Sequence, residues 1–362
     1  FFKQKTAYDI RLSLVGSEMC IRDRISNMHL YENRIIVRHE NTDPLEIVDM
    51  SVWDSSDDTD IPFTAVDSGT DTLTLPADRK LLIWTGKTFR PNGNVTLAGG
   101  GAAAAFDGTL EALTNARFTA LGTESHSIGG SFVFGTGALF TAASSTITFT
   151  TTGSARIIDA NSAPFTNATF TGSGSWTITD PVFTTAASLA QSNGSLTYGS
   201  GTTTIGSAFN VTGGSFTMGN GPLVLTATTA GNTVRFNNSS VPSMTFAGAG
   251  SWLMTDTNAT TTGSVTIASG TVSLPSGLFS VGRSFENSGG TITHNTSELI
   301  MRATSTAILR ANGSDLFAVS KRGVGTITMA DVNLTLLDSL VVATGTLNAV
   351  SYTHLRAHET KA

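Results

Sequence analysis

The feature that most constrains the fold of this chain is an internal repeat with a nearly fixed period of about 76 residues. The string GAGSWLMTD at 248–256 also occurs as GSGSWTITD at 172–180 and, less closely, as GVGTITMAD at 323–331. The three copies begin at positions 172, 248 and 323, so the period is almost constant. A long fixed period is the signature of stacked units, each of which buries its apolar surface against the next unit. The repeat therefore predicts an extended repetitive architecture.

Within each unit, apolar residues alternate with small polar residues. Segments 145–150 (STITFT) and 263–268 (GSVTIA) show this period of two, which is the signal of a half-buried strand. Helical periodicity is nearly absent, and only 109–113 has the pattern of a short helical turn. Short strands separated by Gly, Asn or Ser fit a sandwich, a barrel or a solenoid. The long identical period favours the solenoid.

The sequence thus predicts an all-β chain with a parallel β-helix (β-solenoid) over residues 94–349. We expect each unit to make three turns of about 25 residues, stacked about 4.8 Å apart. Trp176, Trp252 and Ile327 should then occupy equivalent inward positions. Residues 25–93 hold much of the charge and lack the repeat, which predicts a small N-terminal β module or cap.

The repeats resemble the β-strand-repeat proteins of bacterial cell surfaces. The resemblance rests on the string at 248–256 together with VTIASGTV at 265–272 and SFENSGGT at 284–291, and it covers roughly residues 80–349. It implies a right-handed parallel β-helix in a large secreted or surface-anchored protein. It implies no catalytic residues.

The two ends of the chain are related through their coding DNA. Residues 14–23 can be back-translated into codons whose reverse complement encodes Val350–Glu359. Both segments resemble translated sequencing-library adapter, so we expect residues 1–24 and about 350–362 to be adapter-derived and exclude them from fold reasoning. Cys20, the single cysteine, is then artefactual. The remainder is expected to be a metagenomic fragment, with further domains of the same protein on both sides.

The charge balance limits the classes of partner. The chain has 21 Lys and Arg against 27 Asp and Glu, a formal net charge of −6. An acidic chain without basic clusters argues against nucleic acid and against an anionic membrane surface. No apolar run approaches the roughly 18 residues that a membrane-spanning helix needs. We therefore expect no nucleic-acid partner and no membrane span in this fragment.

The densest acidic cluster is DSSDDTD at 54–60. Asp54, Asp57, Asp58 and Asp60 supply carboxylate oxygens, the ligand type that Ca²⁺ prefers. The cluster lacks the glycine and the terminal glutamate of a known calcium loop, and a solvated acidic turn is the simpler interpretation. These four residues are the candidate metal ligands, calcium is the candidate ion, and the sequence indicates no other cofactor.

Asp180, Asp256 and Asp331 recur at one position of the repeat. In a polysaccharide-cleaving β-helix, carboxylates converge at one place. A residue that recurs once per unit is better explained by a structural role in a turn or at the end of a strand, because Asp is a preferred turn residue. His126 and His294 are isolated, and no spacing suggests zinc. We predict no catalytic residue.

Three functional hypotheses follow. The first is a structural or adhesive protein of the cell surface, extracellular, that acts as a rigid stalk or display scaffold toward an unknown surface ligand or glycan. The second is a polysaccharide-binding or polysaccharide-cleaving β-helix protein. The third is a module in which residues 25–93 capture a ligand or calcium. An enzyme should interrupt the repeat with a groove of clustered charged residues, and the sequence shows none, so we expect no enzyme.

Overall fold

The computed structural model describes residues 25–31, 34–39, 45–47, 72–75, 77, 80–91, 93–99, 107–349 and 354–356. These residues form strands and turns without any helix, and hence without any membrane-spanning helix. Nearly all strands pair in parallel with the strand one winding earlier and one winding later, which gives a β-solenoid of about 13 turns. The predicted fold class is confirmed, and its right-handedness stays a prediction.

Most turns contribute one strand to each of three faces, and the strands are numbered in chain order. In two turns one of the faces has only an isolated bridge residue, at Phe165 and at Leu316. Face 1 consists of an eleven-stranded sheet followed by a strand pair: β4 (Thr72–Leu75), β7 (Asn94–Leu97), β10 (Ser125–Ile128), β13 (Thr146–Phe149), β15 (Asn167–Phe170), β18 (Leu189–Gln191), β21 (Phe209–Val211), β24 (Asn232–Arg235), β27 (Ser251–Met254), β30 (Thr271–Ser273), β33 (Thr291–Thr293), β38 (Asn333–Thr335) and β41 (His354–Arg356).

Face 2 consists of a ten-stranded sheet followed by a six-stranded sheet: β1 (Ile25–Tyr31), β2 (Arg34–His39), β3 (Leu45–Ile47), β5 (Lys80–Ile83), β8 (Thr109–Ala112), β11 (Phe132–Phe134), β14 (Arg156–Asp159), β16 (Ser175–Ile178), β19 (Ser195–Thr197), β22 (Ser215–Thr217), β25 (Ser240–Val241), β28 (Ala259–Thr261), β31 (Leu278–Val281), β34 (Glu298–Met301), β36 (Ala318–Lys321) and β39 (Leu340–Val342).

Face 3 consists of a three-stranded sheet followed by a nine-stranded sheet: β6 (Thr88–Phe89), β9 (Arg117–Thr119), β12 (Leu139–Thr141), β17 (Val182–Thr185), β20 (Thr202–Ile205), β23 (Leu223–Leu225), β26 (Met244–Phe246), β29 (Val265–Ile267), β32 (Phe285–Asn287), β35 (Ala307–Arg310), β37 (Thr326–Met329) and β40 (Thr346–Ala349).

Alternation of side chains places the apolar residues inside this three-sided rod. In β13, Ile147 and Phe149 point inward and are buried, while Thr146 and Thr148 lie on the outer surface. The β-branched threonines suit the outer side of a pleated sheet. The inward side chains of all three faces meet in one continuous core that runs along the rod.

The sequence repeat and the structural turn do not coincide. Trp176 lies on face 2, Trp252 on face 1 and Ile327 on face 3, although all three point inward and are buried. Trp176 pairs with Leu196 of the next turn, so the turns in this region are shorter than predicted. Between β16 and β27 there are eleven strand steps, which amount to three and two-thirds turns.

The prediction of three turns per unit, with equivalent residues on one face, is therefore wrong. Each unit is rotated by one face relative to the unit before it. The physical reason is that the three faces use strands of similar length with the same inward alternation. A repeat unit must then contain a whole number of strands, but it need not contain a whole number of turns.

The predicted N-terminal module contains two kinds of pairing. Strands β1 and β2 pair in antiparallel fashion, whereas β3 pairs in parallel with β5. Strands β4 and β5 pair in parallel with β7 and β8, so parallel sheet is already present before residue 94. The division of the chain at residue 94 stays a prediction.

Candidate functional site

The candidate calcium ligands Asp54, Asp57, Asp58 and Asp60 lie outside the described residues, and the calcium site stays a prediction. In the part of the chain that the structure describes, no group of three or more His, Cys, Asp or Glu side chains is placed to hold a metal ion.

The recurring aspartates bind backbone amides of the preceding turn. The Asp180 carboxylate accepts hydrogen bonds from the N–H of Ala160 (2.8 Å) and of Ser162 (2.6 Å), which lie one winding earlier. Burial raises the pKa of Asp180, and the neighbouring Asp159 carboxylate acts in the same direction, whereas the two amide hydrogen bonds oppose the shift. Asn161 and Ser162 have positive φ angles, so Asp180 holds a left-handed turn in place.

The other two aspartates repeat this contact. Asp331 accepts hydrogen bonds from the N–H of Ala311 (2.6 Å) and of Asn312 (2.8 Å), and Asp256 accepts one from the N–H of Phe236. In each case the first amide belongs to the turn that precedes the aspartate. The predicted turn role is confirmed.

The rotation of the repeat separates these carboxylates. Asp180 follows a face-2 strand, Asp256 a face-1 strand and Asp331 a face-3 strand, so they lie at three different corners of the rod. Acid–base cleavage of a glycosidic bond needs two carboxyl groups on either side of one bond. The three aspartates do not provide that arrangement.

The glycines of the repeat string form a tightly packed corner. A Cβ on Gly194, whose φ is +68°, would lie 2.5 Å from the carbonyl oxygen of Gly174 and 2.6 Å from that of Gly172. Equivalent contacts recur one unit later at Gly270 and again at Gly345. The Gly-x-Gly string and the glycine one winding after it therefore stack directly on one another, which leaves no space for a side chain.

An open groove of about 460 Å³ runs across four turns at the corner between face 1 and face 2. Ser175, Ser195 and Ser215 are in register along it. The groove is lined by Thr152, Gly153, Ser154, Ser173, Gly174, Ser175, Asn193, Gly194, Ser195, Gly214 and Ser215. These residues offer hydroxyl, amide and backbone groups but no acid, base or cation. The groove can form hydrogen bonds with a neutral ligand, and it has no group for proton transfer at neutral pH.

His126 is a core residue. Its Nδ1 accepts a hydrogen bond from the N–H of Val95 (3.2 Å), and its ring lies edge-on to Phe118 at 5.3 Å. Burial lowers the pKa of His126 to about 4, and the nearby Glu124 charge opposes the shift. The imidazole is therefore neutral at neutral pH and is closed off from solvent.

A buried ion pair was missed by sequence reasoning. Arg156 donates a hydrogen bond to the Asp107 carboxylate at 2.8 Å, and both side chains are almost fully buried. Arg156 is in register with Trp176 of the next turn, so a charged residue occupies an inward position. The signal in the sequence was the string RIID at 156–159, where an arginine stands in the apolar phase of a strand.

Comparison with known proteins identifies no relative: no protein-family model matches the chain, and no curated protein and no solved structure matches it either. The resemblance to bacterial surface repeat proteins stays a prediction from the sequence strings quoted above.

Proposed function

We propose that this protein is a rigid stalk or display scaffold, structural or adhesive, on the outside of a cell. The observation that carries this proposal is the parallel stacking of strands on three faces along the rod, each face being built from two successive sheets. About 13 turns at a spacing of about 4.8 Å give a length of roughly 60 Å. Bending such a rod would stretch backbone hydrogen bonds on at least one face, so the stacking favours stiffness.

The surface chemistry supports the same role. Many outward positions are Thr, Ser and Asn, which keep a long rod hydrated, although single large apolar side chains such as Leu253 and Leu278 are exposed among them. The recurring aspartates and the buried histidine are occupied by structural contacts. These polar residues therefore stabilise the stacking of successive turns, as expected for a stalk.

The stalk proposal is tested by measuring end-to-end distances. Donor and acceptor dyes on cysteines introduced at Thr88 and Thr346, with Cys20 replaced by serine, report the length of the rod in single molecules. A stalk gives one narrow distance distribution that does not change with viscosity or moderate salt. A broad distribution, like that of a flexible Gly/Ser linker used as the control, would contradict the proposal. Turnover of any polysaccharide by the purified chain would contradict the non-enzymatic role.

The groove favours a second candidate, which is binding of a neutral polysaccharide. It runs along the rod over four turns and presents uncharged hydroxyl and amide groups. Substitution of Ser195 by Trp, in the middle of the groove, should abolish retention of the chain on an immobilised neutral glycan. Substitution of Thr266 by Trp, on the outer side of face 3, is the matched control and should leave retention unchanged. Equal retention of both variants would remove this candidate.

A further inference from the structure

The first five strands of face 1 carry an ordered array of hydroxyl and amide side chains on their outer surface. Every strand contributes two outward residues, and the strands pair in parallel and in register. The array consists of Thr72 and Thr74, Asn94 and Thr96, Ser125 and Ser127, Thr146 and Thr148, and Asn167 and Thr169. We call this set the hydroxyl array.

The hydroxyl array is a two-dimensional lattice. Its five rows are about 4.8 Å apart, which is the spacing of paired strands. Its two columns are about 6.7 Å apart, because each strand rises by two residue steps between them. One column contains Thr74, Thr96, Ser127, Thr148 and Thr169, so every row places a hydroxyl at the same point of the lattice.

The hydroxyl array is uncharged. None of its ten side chains is ionisable, and the inward His126 lies beneath it in the core. Glu124 stands at the adjoining corner, where its carboxylate accepts hydrogen bonds from the N–H groups of Leu121 and Gly122. Other faces carry charges on their outer sides, as at Glu286 and Arg310 on face 3. The array is thus complementary to a neutral partner.

The area of the hydroxyl array is too small for a stable interface with another protein. Four row spacings by a width of about 10 Å give on the order of 200 Å², whereas a stable interface buries about 800 Å² on each partner. A second copy of this chain is therefore not the occupant. A neutral glycan is also disfavoured at the array, because its residues lie outside the serine groove described above, include no aromatic platform, and must lose water to bind a solute.

Ice does not impose this desolvation cost, since its own surface consists of water. Hydroxyl groups donate and accept hydrogen bonds as water molecules do, and threonine methyl groups restrict the orientations of neighbouring water. Rows of oxygen atoms in ice repeat at a distance slightly shorter than the strand spacing. We propose that the hydroxyl array of face 1 binds ice and restrains its growth, an activity that does not rest on the stalk function.

The test uses the full chain in ice-recrystallisation and thermal-hysteresis measurements. The unsubstituted protein should slow the coarsening of ice grains and lower the freezing point below the melting point. Thr148→Lys, in the fourth row, should remove most of both effects. The matched control is Thr328→Lys on the outer side of face 3, where the neighbours in register are Ile308 and Asn348 rather than hydroxyl rows. It should retain both effects.

Further variants keep the test decisive. Circular dichroism checks that each variant is folded, and Ser127→Lys replaces Thr148→Lys if the latter does not fold. Thr148→Val keeps a methyl group and Thr148→Ser keeps a hydroxyl group, and each should lose part of the activity. The proposal is overturned if the unsubstituted chain leaves ice unaffected, or if Thr148→Lys and Thr328→Lys behave alike. Binding to a crystalline neutral polysaccharide without any effect on ice would also overturn it.

Discussion

Two regions of the solenoid reach the same architecture by different means. In the front turns (residues 107–170), the core is built largely from phenylalanine rings: Phe132 lies 4.8 Å from Phe134 and 5.1 Å from Phe140, ring centre to ring centre. In the repeat turns (residues 172–349), aliphatic side chains dominate the core, and each of the two tryptophans lies beneath a corner glycine.

The lengths of the turns vary within both regions. In the front turns, Phe132 pairs with Leu110 of the preceding turn and with Ile158 of the next one, so the second of these turns is longer than the first. In the repeat turns, Trp252 pairs with Asn232 and with Val272, which are equally distant from it along the chain. Other repeat turns are longer, as between Phe209 and Val234 and between Phe285 and Leu309, so the repeat turns share a compact glycine corner rather than one fixed length. In the front turns, large rings and a buried ion pair fill the core.

The largest effect is expected from the buried ion pair of the front turns. Asp107→Asn leaves the Arg156 charge buried without its partner carboxylate, which should lower the free energy of unfolding by about 3–5 kcal/mol. The matched change in the repeat turns is Glu298→Gln, which breaks a partly exposed pair with Arg322 (3.1 Å) and should cost less than about 1 kcal/mol. Chemical denaturation followed by circular dichroism measures both values. If Asp107→Asn lowered the free energy of unfolding no more than Glu298→Gln does, the front turns would not depend on the buried ion pair.

The second prediction concerns the compact corner of the repeat turns. Gly194→Ala and Gly231→Ala both place a side chain at positive φ, which costs about 1–2 kcal/mol. Only at Gly194 does the new Cβ also meet backbone oxygens and the Trp176 ring, whereas the space around Gly231 is open. Overpacking should add about 1–3 kcal/mol at Gly194. The difference between the unfolding free energies of the two variants measures the cost of the Cβ contacts at Gly194. If the two variants were equally stable, the prediction of a close-packed corner would be wrong.

The third prediction is an acid sensitivity that is specific to the front turns. Because burial lowers the pKa of His126 to about 4, the unfolded chain binds a proton at higher pH than the folded chain does. Stability should therefore fall as the pH drops from about 6.5 towards 4, by roughly 2–3 kcal/mol in total. His126→Asn, which keeps an acceptor for the Val95 amide, should reduce this loss, while the unsubstituted chain should show it in full. Melting temperatures recorded from pH 7.5 to pH 4 give the comparison.

The smallest effect is expected at the turn aspartates. Asp331→Ala leaves the N–H groups of Ala311 and Asn312 without their acceptor and should cost about 1–2 kcal/mol. Asp338→Ala, at an exposed residue of the next turn, should change stability by less than about 0.5 kcal/mol. Thermal unfolding distinguishes the two variants. A loss at Asp331 no larger than that at Asp338 would mean that the hydrogen bonds to the Asp331 carboxylate do not stabilise the turn.

Much of the local structure was accessible from the sequence. Alternation as in 145–150 predicted the strands, and the recurrence of Asp180 at a fixed repeat position predicted a turn role. The position of His126 in the core and its contact with Val95 were not predictable. They depend on which strands become neighbours after a long turn, and a single isolated histidine gives no indication of its neighbours.

The sequence by itself indicated that this chain stacks, because a long fixed period combined with a period of two favours a parallel solenoid over a sandwich or a barrel. Only the tertiary structure decided how the stack is wound. The sequence period gives the number of residues in a repeat unit, but not the number of residues in a turn. The length of a turn depends on how many residues form its corners. Contacts between successive turns determine the shape of a corner, as at Gly194. For that reason Trp176 and Trp252 occupy the same place in the repeat and different faces of the rod.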